Sequence, residues 1–398
     1  MRLNQEDPVV IVGAKRTPMG SFQGIFASLS APDLGAAAIR GAVADAGIAP
    51  DSVEEVIMGL CLFAGVKQAP ARQASHSAGL GWGAGATTLS KMCGSGMKTT
   101  MVAHDSLIAG SSEIMVAGGM ESMTNAPYIL SRAREGYRLG HGDAVKDHMF
   151  LDGLEDAYQG KLMGLFAEQC AEHYGFTREE QDQFAIESLN RAKTANEDGS
   201  FNNEIVPITV KTRRGENIES RDEQPFRSNI QKIPQLRPAF SKTGTVTAAN
   251  SSSISDGGAA LVLMRQSTAE KQGLKPRARI LGHTSHAHEP NWFTTAPVHA
   301  IQKLLTQLEW SASDPDLYEV NEAFAVVTMA AMRELNLPHE KVNIHGGACA
   351  LGHPVGASGT RIIVTLLNAL EHKNLQRGVA GICIGGGEAT AIAIECTD

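Results

Sequence analysis

Three observations predict an α/β fold in which helices cover a largely buried sheet. Short apolar runs at 9–12, 56–58 and 114–117 alternate with helical patterns such as 34–46, and the carboxyl half repeats that rhythm at 279–282 and 317–320. The chain has 398 residues, more than one hydrophobic core usually serves, and its 42% hydrophobic content can fill two or three. A strand followed by glycines and an acid occurs twice, as Val116-Ala117-Gly118-Gly119-Met120-Glu121 and as Gly381-Ile382-Cys383-Ile384-Gly385-Gly386-Gly387-Glu388. An internal duplication explains that pair, and so do two ordinary α/β halves sharing one turn chemistry.

In chain order, a strand near 9–12 opens the first half and the helix over 34–46 follows. The runs at 56–58 and 114–117 flank a second helical stretch, in which Met97, Met101, His104, Leu107 and Ile108 recur at helical spacing. From 122 to 249 the character changes to charged helices and polar connections, which reads as an insertion. Its clearest helix opens with Thr177 and Glu180 as a capping box, continues through Phe184, Leu189 and Ala192, and stops near Gly199. Residues 211–235 are polar, and Pro225 and Pro234 oppose regular helix, so this stretch is expected on the surface. A glycine-rich loop at 343–359 feeds a helix over 360–370. The expected division is 1–121 plus 250–275, the insertion 122–249, and 276–398.

The net charge of −8 and pI near 5.9 argue against nucleic acid as a partner. Cys61, Cys93, Cys170, Cys349, Cys383 and Cys396 form no C-x-x-C pair and show no zinc-ligand spacing, which fits a reducing compartment. The run Met1-Arg2-Leu3-Asn4-Gln5-Glu6-Asp7 lacks the apolar core of a signal peptide, and Glu395-Cys396-Thr397-Asp398 carries no address signal. No apolar run has the length of a membrane span. The expectation is a cytoplasmic protein with no membrane partner.

Four places could carry chemistry. In Leu89-Ser90-Lys91-Met92-Cys93-Gly94-Ser95-Gly96-Met97, one cysteine stands beside flexible glycines where a helix begins, and the helix amino terminus is expected to lower its pKa. The alternative is a buried cysteine acting as a small hydrophobe. Asn321 ends a strand in Val320-Asn321-Glu322-Ala323-Phe324, either aimed above the sheet or serving as a helix cap. In the loop running from Asn343 to Gly359, which matches no phosphate-binding fingerprint, His353 lies between Gly352 and Pro354 and is better placed than His345 to move a proton. Cys383 ends an apolar strand. Strand ends and helix starts of an open α/β sheet meet at one edge, where ligands bind. Zinc held by Cys93, Cys383 and His353 lacks the close ligand pair that structural sites show, so no metal is expected.

Seven motifs then carry a resemblance: Arg16-Thr17-Pro18, Pro70-Ala71-Arg72-Gln73, Cys93-Gly94-Ser95-Gly96-Met97-Lys98, Gly118-Gly119-Met120-Glu121-Ser122-Met123, Asn321-Glu322-Ala323-Phe324, Gly352-His353-Pro354 and Cys383-Ile384-Gly385-Gly386-Gly387. Over essentially its whole length the chain resembles the thiolase family, and within it the acetoacetyl-CoA thiolases (acetyl-CoA acetyltransferases). The resemblance implies duplicated α/β halves in a layered αβαβα core with an inserted loop domain. It implies condensation of two acetyl-CoA to acetoacetyl-CoA plus CoA, and the reverse thiolysis, with no metal or redox cofactor. By the same resemblance Cys93 accepts the acyl group, His353 deprotonates it, and Cys383 is the second acid and base. Asn321 holds a water that binds the thioester oxygen with His353, and the N–H groups of Cys93 and Gly385 surround the acyl-enzyme carbonyl.

The resemblance also implies coenzyme A contacts at Ser252, Ala248, Phe240, Leu154, Met163, Ala323 and Phe324. Arg227 is implied at the nucleotide end and Phe293 at the acyl pocket, where a bulky ring favours short chains. It implies a homotetramer paired through residues 123–138. Leu162, where histidine is common in the family, and Glu388, where an uncharged residue is usual, depart from the pattern. Two other readings remain: a degradative 3-ketoacyl-CoA thiolase of fatty-acid β-oxidation, to which Ala249-Asn250-Ser251-Ser252 is similar, and a carrier that binds acyl-CoA or lipid without catalysis. A cysteine hydrolase also uses Cys and His but needs no second cysteine as acid.

Overall fold

The computed structural model describes residues 6–141, 145–213 and 215–397; Met1 to Gln5 of the amino-terminal run, Arg214 of the polar stretch and Asp398 lie outside them. The first half contains β1 (Val9–Arg16), α1 (Ala31–Ala46), β2 (Glu55–Gly59), α2 (Pro70–Ser77), β3 (Gly85–Leu89), α3 (Ser95–Ala109) and β4 (Ile114–Ser122). After the inserted α4 (Met163–Tyr174) and α5 (Arg178–Glu197) comes β5 (Ser255–Arg265). The second half contains β6 (Ala278–Ala287), α6 (Ala296–Leu308), β7 (Leu317–Val320), α7 (Ala325–Leu335), α8 (Val355–Lys373), β8 (Arg377–Ile384) and β9 (Glu388–Cys396).

Nine of these strands, with the short strand Gly20–Ser21 paired to β5, make one ten-stranded sheet. Its seam is the antiparallel pair β1 and β6, in register at Val10 with Arg279 and Ile11 with Ala278. Outward from the seam the first half runs β1, β5, β4, β2, β3. The second runs β6, β9, β8, β7, and beyond β7 Val342 forms a parallel bridge to Tyr318. Counted within each half, both orders are first, fifth, fourth, second, third, with the same parallel and antiparallel senses. The repeated motif therefore reflects a repeated topology.

Helices form the remaining layers. α1 and α2 pack together on one face of the first half, and α6 and α7 cover the second. Between the halves, α3 packs against α8, and α8 touches strands of both. Every residue from Val355 to Leu370 is buried, as a central layer requires. This packing needs glycine. A Cβ on Gly359 would lie 2.3 Å from the Met97 amide nitrogen, and one on Gly96 2.6 Å from Thr360 Oγ1.

The insertion keeps the predicted helix: Thr177 caps α5, and both bonds of the capping box with Glu180 form. The polar stretch is more regular than expected, because Ile208–Thr212 and Gly215–Glu219 pair as a hairpin before Pro225. Arg16 of the first motif is fully buried, bonding Glu204 and, through a fork of 2.7 and 3.0 Å, Asp222. It thereby ties the insertion to β1. Gly359→Ala is expected to cost about 1–3 kcal/mol, the usual range for overpacking, read as a lower urea midpoint together with a loss of activity, since the crossing sets the site.

Candidate active site

Cys93 precedes α3 in a tight turn. Met92 takes a positive φ of 46°, a costly conformation for a non-glycine residue. The Ser95 hydroxyl holds the turn, accepting from the Lys91 amide at 2.8 Å and donating to the Met92 carbonyl at 2.6 Å. A Cβ on Gly94 would lie 2.3 Å from Ile384 Cδ1. Glycine there lets the end of β8 lie directly against the turn. The backbone amides of Gly385 and of Cys93 itself favour charge on the Cys93 sulfur.

Cys93 keeps some exposure, while Cys383 and His353 are buried. The expected lowering of the Cys93 pKa does not occur. Burial pushes the thiol up to about 11, outweighing the two amide bonds, and Glu121 adds repulsion. Cys383 is raised well above the ordinary value by burial and then by the nearby Cys93 sulfur. Burial also lowers His353 to about 3, aided by the charge of Arg361. At neutral pH these groups rest as two thiols and a neutral imidazole.

The tautomer of that imidazole follows from its neighbour. The Ser358 hydroxyl donates to the Pro354 carbonyl at 3.0 Å, so it accepts from His353 Nδ1–H at 2.5 Å. Nε2 is left with its lone pair, buried and, among the described residues, without a partner. Asn321 is similar: its side chain is buried, and neither Oδ1 nor Nδ2 has a partner among the described residues. It follows β7 directly, and α7 is capped by Phe324 instead. The cap alternative for Asn321 therefore falls away.

Acidic residues that sequence reasoning passed over brace the site. Glu121 accepts the amides of Cys61 (2.9 Å), Leu62 (3.2 Å) and Gly356 (2.9 Å), gripping the amino end of α8. Glu322 accepts from Ser188, Asn343 and the Cys349 amide, fixing the glycine-rich loop beneath His353. The departure at Glu388 has a partner, because its carboxylate pairs with Lys91 beside the Cys93 turn. A buried acid facing a helix amino terminus is a recognisable pattern only once the helix start is known, and the sequence placed that of α8 at 360 rather than 355.

The apolar candidates assemble around Cys383. Met163, Phe240, Phe293, Ala323 and Phe324 share its hydrophobic cluster, with ring centroids 5.9 Å apart for Phe240 and Phe324 and 6.3 Å for Phe293 and Phe324. Leu154 joins Cys93 in an adjacent cluster. Ser252 bonds its amide to the Ala323 carbonyl at 3.0 Å, and Ala248 is exposed at the start of that segment. Leu162 precedes α4 and is half-buried. Arg227 stands apart: it is exposed on the short helix Gln224–Arg227 and pairs with Glu223 at 3.0 Å. His345 is buried against Phe201, away from the two sulfurs.

A duplicated sheet with two neighbouring cysteines at one edge and a buried histidine just before α8 fits an acyl-transfer class of site. The sequence pattern of the thiolase N-terminal domain matches residues 9–267 and that of the C-terminal domain 274–396, so the chain belongs to the thiolase family of acyltransferases. It is 44% identical to an acetyl-CoA acetyltransferase of Cupriavidus necator over 97% of this chain and 99% of that protein. The solved structure of an acetyl-CoA acetyltransferase from Syntrophomonas wolfei superposes with a TM-score of 0.95 at 40% identity, covering 98% of this chain and all of that one. The Acat5 thiolase from Ascaris suum, solved in complex with coenzyme A, gives 0.92 at 40% identity, with 98% and full coverage.

Two outcomes are expected. Ser358→Ala frees the imidazole to take the other tautomer and lowers acyl transfer by on the order of tenfold or more, a part of what a positioned base contributes; slower alkylation of Cys93 at an unchanged urea midpoint would mark the effect as positional. The rate of Cys93 acylation stays level as pH falls through about 6.5, where an ordinary imidazole loses half its base form, because a histidine held near 3 remains neutral there.

Proposed function

We propose that the chain is an acetyl-CoA C-acetyltransferase that works through an acetyl-Cys93 intermediate. One observation carries this reading: beyond a cysteine at a helix start, Nε2 of His353 and both ends of the Asn321 amide are buried with no partner among the described residues, free to meet a reacting thioester. The names of its relatives support the substrate, as does the coenzyme A bound to the Ascaris enzyme.

In the first half-reaction His353 Nε2 takes the Cys93 proton as the sulfur attacks acetyl-CoA. A neutral thiol and a neutral imidazole suit a proton that moves with attack rather than before it. The tetrahedral oxyanion lies in the Gly385 and Cys93 amide pair, and collapse expels CoA, which leaves with the proton from His353. In the second, Cys383 gives its proton to His353 Nε2 and, as thiolate, removes a methyl proton from another acetyl-CoA. Its raised pKa makes it a strong base, matched to a weakly acidic carbon. The enolate oxygen is held by His353 and a water on Asn321, donors worth about 3 kcal/mol apiece. The enolate carbon attacks the acetyl group, Cys93 leaves as thiolate and takes the proton back from His353, and Cys383 keeps the methyl proton as its thiol. Thiolysis runs the same steps backwards.

Phe240, Met163, Leu154, Ala323, Phe324, Ala248 and Ser252 line the pantetheine path in this reading, and Arg227 meets the nucleotide from the surface. Phe293 packs on Phe166 and Phe324, which supports a short acyl pocket. The domains are 1–121 plus 250–275, the insertion 122–249, and 276–398. The protein acts in the reducing cytoplasm, in fatty-acid metabolism, without nucleic acid or membrane partners. Its six cysteines are all unpaired, and no helix of the described residues is long and apolar enough to cross a membrane. A homotetramer joined through 123–138 accords with Tyr128, Leu130 and Tyr137 exposed on that loop and Leu139 just beyond it, and native mass spectrometry reads it directly.

Incubation with acetyl-CoA is expected to place an acetyl group on the Cys93 peptide. Cys93→Ala should abolish both condensation and acetylation, whereas Cys383→Ala should still acetylate and fail to condense. No condensation or thiolysis by the purified protein would refute the assignment, and faster cleavage of longer 3-ketoacyl-CoA than of acetoacetyl-CoA would move it to the degradative class.

A further inference from the structure

A second cluster of nitrogen donors lies outside this site. His286 stands near the end of β6, His288 two residues on, and His299 on α6, and one ring nitrogen from each falls within 4.8 Å of the others. The Thr284 hydroxyl bonds the Ala300 carbonyl at 2.7 Å, locking strand to helix beneath them. We propose that His286, His288 and His299 bind one borderline divalent transition ion of the Zn²⁺, Co²⁺ or Ni²⁺ class, with the fourth position open to water.

Several features favour a ligand over a simple histidine patch. His286 Nε2 is buried and, among the described residues, has no hydrogen-bond partner. The other ring nitrogen of a metal-binding histidine usually donates to a carbonyl or carboxylate, which fixes the tautomer. His288 does this: Nε2–H donates to the Trp292 carbonyl at 2.7 Å, leaving the Nδ1 lone pair free. The rings meet at 37° to 87° rather than in a parallel stack. Tetrahedral bonding at about 2.1 Å requires nitrogens roughly 3.4 Å apart, a closure within reach of rotations of these half-buried and exposed side chains. Three imidazoles without thiolate or carboxylate select a borderline metal over Ca²⁺ or Mg²⁺. The Lys303 ammonium is occupied by the Ser285 carbonyl at 3.2 Å. By contrast, in the group His104, Asp105 and His283 the carboxylate already satisfies both rings.

The position connects the ion to the acyl-transfer site. The His288 amide bonds the Gly387 carbonyl at 2.9 Å, and Trp292, whose carbonyl holds the His288 ring, directly precedes Phe293. An ion fixed here stiffens the 288–293 turn between the acyl pocket and the Gly385-Gly386-Gly387 loop.

The test titrates Co²⁺ into untagged, chelator-treated protein and follows visible absorption. The expected result is one equivalent of cobalt with a nitrogen and oxygen ligand-field spectrum and a raised thermal midpoint with Zn²⁺. His299→Ala and His286→Ala should each weaken binding by more than the roughly 10–100-fold that loss of an outer-shell partner costs. His299 is exposed, so its variant should fold and keep the metal-free turnover. Unchanged cobalt binding in His299→Ala would overturn the proposal, as would a sulfur charge-transfer band, which would put the ion on Cys93 and Cys383 instead, or no binding at all.

Discussion

The close crossing of α3 and α8 is the constraint on which the rest depends. Both helices lie in the layer between the two halves of the sheet, and each brings its amino end to the same edge. Gly96 and Gly359 let the backbones touch; any side chain at either would push them apart. Because Cys93 precedes one helix and His353 the other, the separation of two reactive groups from opposite halves is set by backbone contact. Glu121 strengthens the arrangement by reaching from β4 to the amide of Gly356 at the start of α8.

Burial then decides the chemistry at that crossing. Helix ends and amide donors pull a thiol toward ionisation, yet removing the sulfur from water costs more, so Cys93 rests protonated. The same exclusion keeps His353 neutral and makes the Cys383 thiolate a strong base. The site is thus electrically quiet at rest, and it keeps buried polar atoms without partners among the described residues: Nε2 of His353 and both ends of the Asn321 amide.

Much of this was legible in the sequence. Apolar alternation gave the α/β class, the Thr177 capping box gave the start of α5 to the residue, and glycines beside Cys93, His353 and Cys383 marked where backbone must come close. β5 was missed because Ser255-Asp256-Gly257-Gly258-Ala259-Ala260 reads as a loop, although every residue of the strand before Arg265 is buried. The hairpin at 208–219 was missed because only its first strand alternates, over five residues, while its partner Gly215–Glu219 is polar and almost wholly exposed. The pKa of Cys93 could not be read from local sequence, since its desolvation comes from segments hundreds of residues away. Ser358 and the trio His286, His288 and His299 acquire meaning only when helix and strand are set side by side.

The shared strand order of the two halves carries a consequence for how a single chain came to hold one reaction centre. A twofold scaffold offers two equivalent edges, each able to present a helix start and a strand end. Here the carboxylate at the end of β4 is spent as a clamp on the opposing half, and the large insertion follows that strand alone. One edge has become the foundation for the other: the Cys93 turn and His353 come from opposite halves, and Glu121 of the first holds the start of α8 in the second.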